Sequence, residues 1–332
     1  MATVTKNIGT GGDYATVAAW SADLNNGAVY TAGDTAVANI VTSGLTCNLS
    51  FPATILPTTV RVQPDASIRH RGQVGSGCRL VSAANSAVLS AFQRSYHVEI
   101  FDLEIDYNGF SPSSTYAVGI TQSAQGGGMH CRNLLIYGFG VGGGSYVYGM
   151  EASGYGGGTI KFENCAVIGL LRSSTFSSCI GIYFATTGTL SNCVVAKVTD
   201  VSTATAYCYS VISNCTVKNC VGVLGKTACF TGTPNASSSN NASSDGTAPG
   251  ANSITSLVYY DHFRGLLGGD PHLLSGSSLI GAGIAISGLT EDIDGDTYDS
   301  PPAIGCDEYV ATGGGSSTYS PFRSRAFAGG RR

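Results

Sequence analysis

Apolar and polar residues alternate in short bursts along most of the chain, and the bursts recur. Phe-Glu-Asn-Cys-Ala-Val-Ile at 162–168, Leu-Ser-Asn-Cys-Val-Val-Ala at 190–196 and Ile-Ser-Asn-Cys-Thr-Val-Lys at 212–218 are one phrase written three times. Cys-Arg-Asn-Leu-Leu-Ile-Tyr at 131–137 is a looser copy, and residues 97–106 share its alternation. Each copy predicts a short strand, a bend at the asparagine and a second short strand, because asparagine tolerates the left-handed backbone of a tight bend. The bend asparagines, at 133, 164, 192 and 214, are spaced by 31, 28 and 22 residues. A unit of that size cannot bury its own apolar side. Stacked units can, each strand pairing with its equivalent about 4.8 Å above and below. The chain is therefore predicted to be all-β: a right-handed parallel β-helix with inward ladders of Val, Ile, Leu and Cys, and bend amides paired between coils. A β-sandwich or propeller is the alternative, but the hairpin-type dipeptides Asn26-Gly27 and Asn108-Gly109 lack strand patterns on both sides.

One stretch has a helical period. Tyr14–Leu24 is apolar at 14, 17, 18, 20 and 24, with Asp13 placed as its N-cap. It is expected to cap one end of the solenoid, with Trp20 in the core. The organisation that follows is an N-terminal strand and capping helix (1–30), coils with closing turns (31–310), and a Gly/Ser linker with an extended C-terminal arm (311–332).

Composition narrows the picture. Charged residues make up 11% of 332, and glycine contributes 46. Helix-rich stretches are nearly absent, apolar content is sufficient for a core, and no apolar run approaches the roughly 20 residues a membrane helix needs. Eleven cysteines are an odd number, and the opening Met-Ala-Thr-Val-Thr-Lys lacks the apolar segment of a secretory signal. Cys165, Cys193 and Cys215 share one place in the phrase, so reduced thiols stacked in the core are expected. Net charge is −4, unevenly spread: residues 107–244 hold only Glu151, Glu163 and Asp200 as acids, and residues 245–315 hold ten carboxylates against one arginine. No segment is basic enough to predict a nucleic-acid partner.

The candidate chemistry is thin. Glu99, Asp102, Glu104 and Asp106 read as a solvated strand face with a sugar-cleaving or cation site as the sharper alternative. Glu163 has a solvent-facing reading, and a catalytic pair with Asp200 is its alternative. His97 and His130 lack a nucleophile at any recognisable motif, and His70, between Arg69 and Arg71, reads as part of a basic surface strip. Asp292, Asp294, Asp296 and Asp299 are the densest run of oxygen ligands. A structural turn is the first reading and a calcium site the second, since calcium favours alternating carboxylates. No other cofactor is expected. Tyr146, Tyr148 and Tyr155 beside Gly-rich segments are candidate glycan contacts. The arm carries Phe322, Arg323, Arg325, Phe327, Arg331 and Arg332 without hydrophobic period, the composition of a segment that anchors in a partner.

Ile8-Gly-Thr-Gly-Gly-Asp-Tyr-Ala-Thr-Val17 resembles the opening of pectin-lyase-like β-helix proteins. Asp270-Pro-His-Leu-Leu274, Ser278-Leu-Ile-Gly-Ala-Gly283, Asp292-Ile-Asp-Gly-Asp296 and Ala303-Ile-Gly-Cys-Asp-Glu-Tyr309 resemble the closing coils of that superfamily. The resemblance implies a fold and not a function, since the superfamily spans lyases, hydrolases, adhesins and phage spikes and fibres. Lyases and hydrolases of this kind place clustered carboxylates on central coils, where this chain is poorest in them. The expectation is a structural bacteriophage virion protein (capsid decoration, head fibre or tail spike). It would be homotrimeric, joined to a major capsid or tail protein through its arm, in contact with cell-surface polysaccharide, and without membrane insertion. A polysaccharide lyase or glycoside hydrolase is the alternative, and an extracellular adhesin the second.

Overall fold

The computed structural model describes residues 1–82, 87–92, 95–107, 115–123, 127–138, 147–155, 158–172, 178–200, 205–212 and 214–311. It is a parallel β-solenoid. Three long sheets run the length of the stack: a first of eight strands from Thr3–Ile8 to Cys215–Lys218, a second of nine that includes Ala242–Ser243, and a third of seven ending at Ala228–Gly232. Successive strands visit the sheets in turn, and every pairing within them is parallel. Inward positions stack into columns. Val62, Ile100, Cys131, Phe162, Leu190 and Val217 form one such column through the first sheet, all fully buried. A β-sandwich or propeller is excluded by this pairing.

The first and second sheets meet at a bend whose backbone is left-handed in every coil from Asp102 upward. Asp102, Asn133, Asn164, Asn192, Asn219 and Asn240 have φ between 52° and 59°. Their side chains form the expected ladder: Asn133 Nδ2 donates to Asp102 at 2.7 Å, Asn164 Nδ2 to Asn133 Oδ1 at 3.0 Å, and Asn219 Nδ2 to Asn192 Oδ1 at 2.9 Å. One register needs correction. The partner of Asn192 is Asn219, because Ser191 pairs with Lys218 and not with Ser213. The stacked cysteine of that coil is accordingly Cys220; Cys215 belongs to a different column, above Gly188. All eleven cysteines are free and buried, as expected, and burial pushes the Cys165 and Cys220 thiols up, leaving them protonated and inert.

The helix is shorter than its pattern, spanning Val17–Ala22, and its N-cap is Thr16, whose hydroxyl accepts from Ala19 N. Asp13 instead accepts from Asn7 N and fastens the preceding turn to the first strand. Trp20 is buried in the core, its indole N–H donating to Tyr30 at 2.8 Å.

The closing segment, residues 257–309, departs most from the sequence reading. It lies along the outer face of the second sheet instead of adding coils. Leu135, Ala166, Val194, Val221 and Ala242 form an outward column of that sheet, and Phe263, Leu266, Leu273, Leu279, Ile293 and Ile304 pack on it as a second core. This strap is also pinned to the asparagine ladder. Ala282 O accepts from Asn240, Ile284 exchanges two hydrogen bonds with Asn219, Glu291 O accepts from Asn164 Nδ2, and Tyr298 OH donates to Asn164 Oδ1. The signal in the sequence is the loss of alternation: Leu134-Leu-Ile136, Ala166-Val-Ile168 and Val194-Val-Ala196 are continuous apolar runs, as strands buried on both faces require.

His70 is a further correction. It is 1% exposed, not part of a surface strip. Its Nε2 donates to Asn133 O at 2.6 Å and its Nδ1 accepts from Gly72 N, so the neutral ring satisfies both partners. Burial holds its pKa below the ordinary 6.5. The unfolded chain therefore takes up a proton that the fold refuses, and the contribution is complete above pH 6.5 and lost as pH falls below it. From about pH 7.5 to about pH 5.5 the native protein should lose about 1 kcal/mol more than His70→Gln, which keeps a donor and an acceptor but does not titrate. Equal losses in urea melts of the two proteins would refute this.

Candidate functional site

The outward column of the second sheet changes character below Leu135, where its next members are Glu104 and Arg79. Apolar cover ends there, and the strap stands off. The result is a cleft of about 620 Å³ between Arg79, Tyr137 and the loop at Gln73–Gly75 on one side, and Tyr259, Tyr260, Phe263 and Arg264 on the other. This is within the usual size for a small-ligand site.

Glu104 lies behind one wall and fixes it. Fully buried, its carboxylate accepts from Gly75 N and Gly77 N, each at 2.8 Å, and from Tyr137 OH at 3.0 Å. Burial pushes its pKa up and these bonds pull against that. The solvated face expected for residues 99–106 is thus not present. Glu104 is interior, Asp102 occupies the bend beside Arg69 at 3.1 Å, Glu99 pairs with Arg61 at 2.6 Å, and Asp106 with Arg79 at 3.3 Å. On the opposite wall Tyr260 is 67% exposed and lies edge-to-face with Tyr259, 5.6 Å between ring centroids. Arg264 reaches Asp270 at 3.8 Å. Exposed ring faces beside two guanidinium groups can bind a flat, partly anionic ligand such as a sugar acid by stacking and charge-assisted hydrogen bonds. None of the residues that line the cleft was a candidate in the sequence, where only Glu104 behind them stood out, because Arg79 and Arg264 are far apart in the chain and only the strap unites them.

Behind Asp270 lies a dense cluster of charge among the described residues. His272 Nδ1 meets Asp270 Oδ1 at 2.5 Å, and its Nε2 meets Asp294 Oδ2 at 3.1 Å and Asp307 Oδ1 at 3.8 Å. Burial would lower the histidine pKa, but the hydrogen bonds to Asp270 and Asp294 and the charge of Asp307 outweigh it and raise it to about 10. Burial pushes Asp307 up to about 7. Of the four aspartates expected to form a calcium loop, the structure brings together Asp292, Asp294 and Asp296 and leaves Asp299 exposed and outside the group. Asp292 is committed to the turn: its Oδ1 accepts from Asp294 N, Gly295 N and Asp296 N, and its Oδ2 from Glu308 N. Reading along the chain missed His272 and Asp307, which strap folding alone delivers to Asp294.

Glu163 is 7% exposed and bonds His130 Nε2 at 2.6 Å, so its solvent-facing reading is also corrected. Tyr148 stacks on Tyr183 of the next coil at 4.9 Å, an outward aromatic pair on the third sheet. Tyr146, the side chains of Tyr155 and Asp200, and the arm residues Phe322, Arg323, Arg325, Phe327, Arg331 and Arg332 lie outside the described residues. No described helix is long and apolar enough to cross a membrane. No protein-family model and no curated protein matches the chain.

Proposed function

We propose that the protein is a structural, non-catalytic component of a bacteriophage particle — a capsid decoration protein, head fibre or tail spike — that offers its cleft to surface glycans. The observation that carries the non-catalytic reading is that, of the six described carboxylates from Glu99 to Glu163, all but Glu151, which accepts from Ser153 at 2.7 Å, are committed to the fold. Glu99, Asp102, Glu104, Asp106 and Glu163 each hold a cation, a histidine or backbone amides that fix the fold. An acid–base pair for glycoside or lyase chemistry needs two carboxyl groups free to face substrate. The virion reading is supported by the reduced cysteine stack and by the basic, Phe-bearing arm after a Gly/Ser linker.

The test uses the full chain and a deletion of Ser316–Arg332. Trimers and their incorporation into particles should be lost on deletion, while far-UV circular dichroism and melting temperature stay unchanged. Normal assembly of the shortened protein would refute the arm's role. Release of unsaturated or reducing ends from acidic polysaccharides would replace the structural reading with the enzymatic one.

A further inference from the structure

Three segments of the strap converge on one point: the strand Asp270–Leu273, the turn at 292–296 and the stretch ending in Asp307. We infer that His272 Nε2, Asp294 and Asp307 form a binding site for one divalent first-row transition-metal ion of the zinc or manganese class, with Asp270 orienting the histidine from behind.

The geometry carries this. Ligand atoms about 2.0–2.2 Å from a tetrahedral metal stand about 3.3 Å apart. The two distances from His272 Nε2, 3.1 Å to Asp294 and 3.8 Å to Asp307, bracket that value, and all three ligand atoms lie within 4.8 Å of one another. The donors are aimed inward with capacity to spare. The Asp307 side chain is 4% exposed, and its Oδ1 stops 3.8 Å from His272, beyond hydrogen-bond reach, while Oδ2 is held by Leu273 N at 2.7 Å. Asp294 Oδ1 is buried and receives no hydrogen bond from an N–H of the described residues, the Asp294 carboxyl having only the Asp292 carboxyl as a further close partner. The contact between His272 Nδ1 and Asp270 is the outer-shell arrangement that fixes the tautomer of a metal-bound histidine. A single imidazolium leaves these aspartates with surplus negative charge, whereas a divalent ion balances Asp294 and Asp307. On entry the ion takes the place of the Nε2 proton, which leaves to solvent, and Nδ1–H stays on Asp270.

An imidazole donor selects against calcium, which takes six to eight oxygens. In the contiguous aspartate loop Asp292 already holds the turn, its Oδ1 accepting from Asp296 N and its Oδ2 from Glu308 N. The inferred site shares Asp294 with that loop and differs from it in its other ligands and in metal.

The full chain, stripped with a chelator and dialysed against zinc or manganese chloride alone, should retain one equivalent by elemental analysis. Its melting midpoint should rise by about 5 °C at a hundredfold excess over Kd. Calcium chloride should give less than a tenth of that binding. Asp307→Asn should weaken binding by about a hundredfold and Asp270→Asn by about tenfold. Asp296→Asn combined with Asp299→Asn should leave it unchanged. X-ray absorption of the zinc-loaded wild type reads the imidazole directly, without dependence on how any variant folds. Failure to retain zinc or manganese, a spectrum without nitrogen scattering, or loss of binding in the Asp296/Asp299 variant would each overturn the assignment.

Discussion

A chain ended at Ser256 should fail to accumulate as a soluble, cooperatively folded protein, whereas a chain ended at Gly315 should melt like the whole. The first cut removes the strap and bares Leu135, Ala166, Val194 and Val221, each fully buried. It also discards Phe263, Leu266, Leu273, Leu279, Ile293 and Ile304 from the second core. Burying a large aliphatic or aromatic side chain contributes about 1.5–3 kcal/mol, so the strap's share is on the order of 10 kcal/mol. That is comparable to the entire net stability of an ordinary domain. The exposed remainder would be a flat apolar sheet face several coils tall, the kind of surface that associates non-specifically. Soluble yield, circular dichroism and binding of a hydrophobic dye report the outcome. A monodisperse 1–256 fragment with a single cooperative melt would show that the coils stand alone.

Replacing Asn219 by alanine should destabilise the protein by about 4 kcal/mol, roughly a 10 °C fall in melting temperature. Two terms add. The residue sits at φ 54°, where a β-carbon costs about 1 kcal/mol that asparagine partly recovers by local hydrogen bonding. Its amide also donates to Asn192 Oδ1 and to Ile284 O, and its Oδ1 accepts from Ile284 N, all in a fully buried position. Alanine strands those groups, at about 1–3 kcal/mol for each buried donor or acceptor that water cannot reach. Asn219→Gly separates the terms, since glycine adopts the bend freely and should recover about 1 kcal/mol of the loss. The same substitution at Asn214, outside the ladder, should have a much smaller effect. Equal losses at 214 and 219 in calorimetric melts would sink the register described for this coil.

That register also shows how far the chain could be read unaided. Ser213-Asn-Cys215 and Lys218-Asn-Cys220 are near-identical triplets five residues apart, and five is odd. Choosing the wrong one moves alternating side chains to the opposite face. Nothing local distinguishes them; pairing of Ser191 with Lys218 does. The repeat, the left-handed bend and the thiol stack were legible because each is a property of one coil and its neighbour. His70 was not, because its burial depends on Asn133 O, 63 residues away. The helix start shifted from Asp13 to Thr16 because the aspartate was needed by the first strand. The candidate sites escaped for the same reason. Asp292 to Asp299 are contiguous and so were noticed, while the atoms around His272 come from positions 270, 294 and 307. Strands read from pattern; a segment that folds back over a finished sheet is visible only as alternation that fails.

The pins between strap and asparagine ladder bear on how such a chain can change in evolution. Free solenoids gain or lose whole repeats by duplication, since each repeat touches only its neighbours. Here Ala282, Ile284, Glu291 and Tyr298 meet asparagines at set heights. One extra coil would lift every contact above it by about 4.8 Å, more than a hydrogen bond can stretch. The strap thus acts as a molecular ruler: repeat number and strap length can change only together, while loops that touch neither are free to diverge.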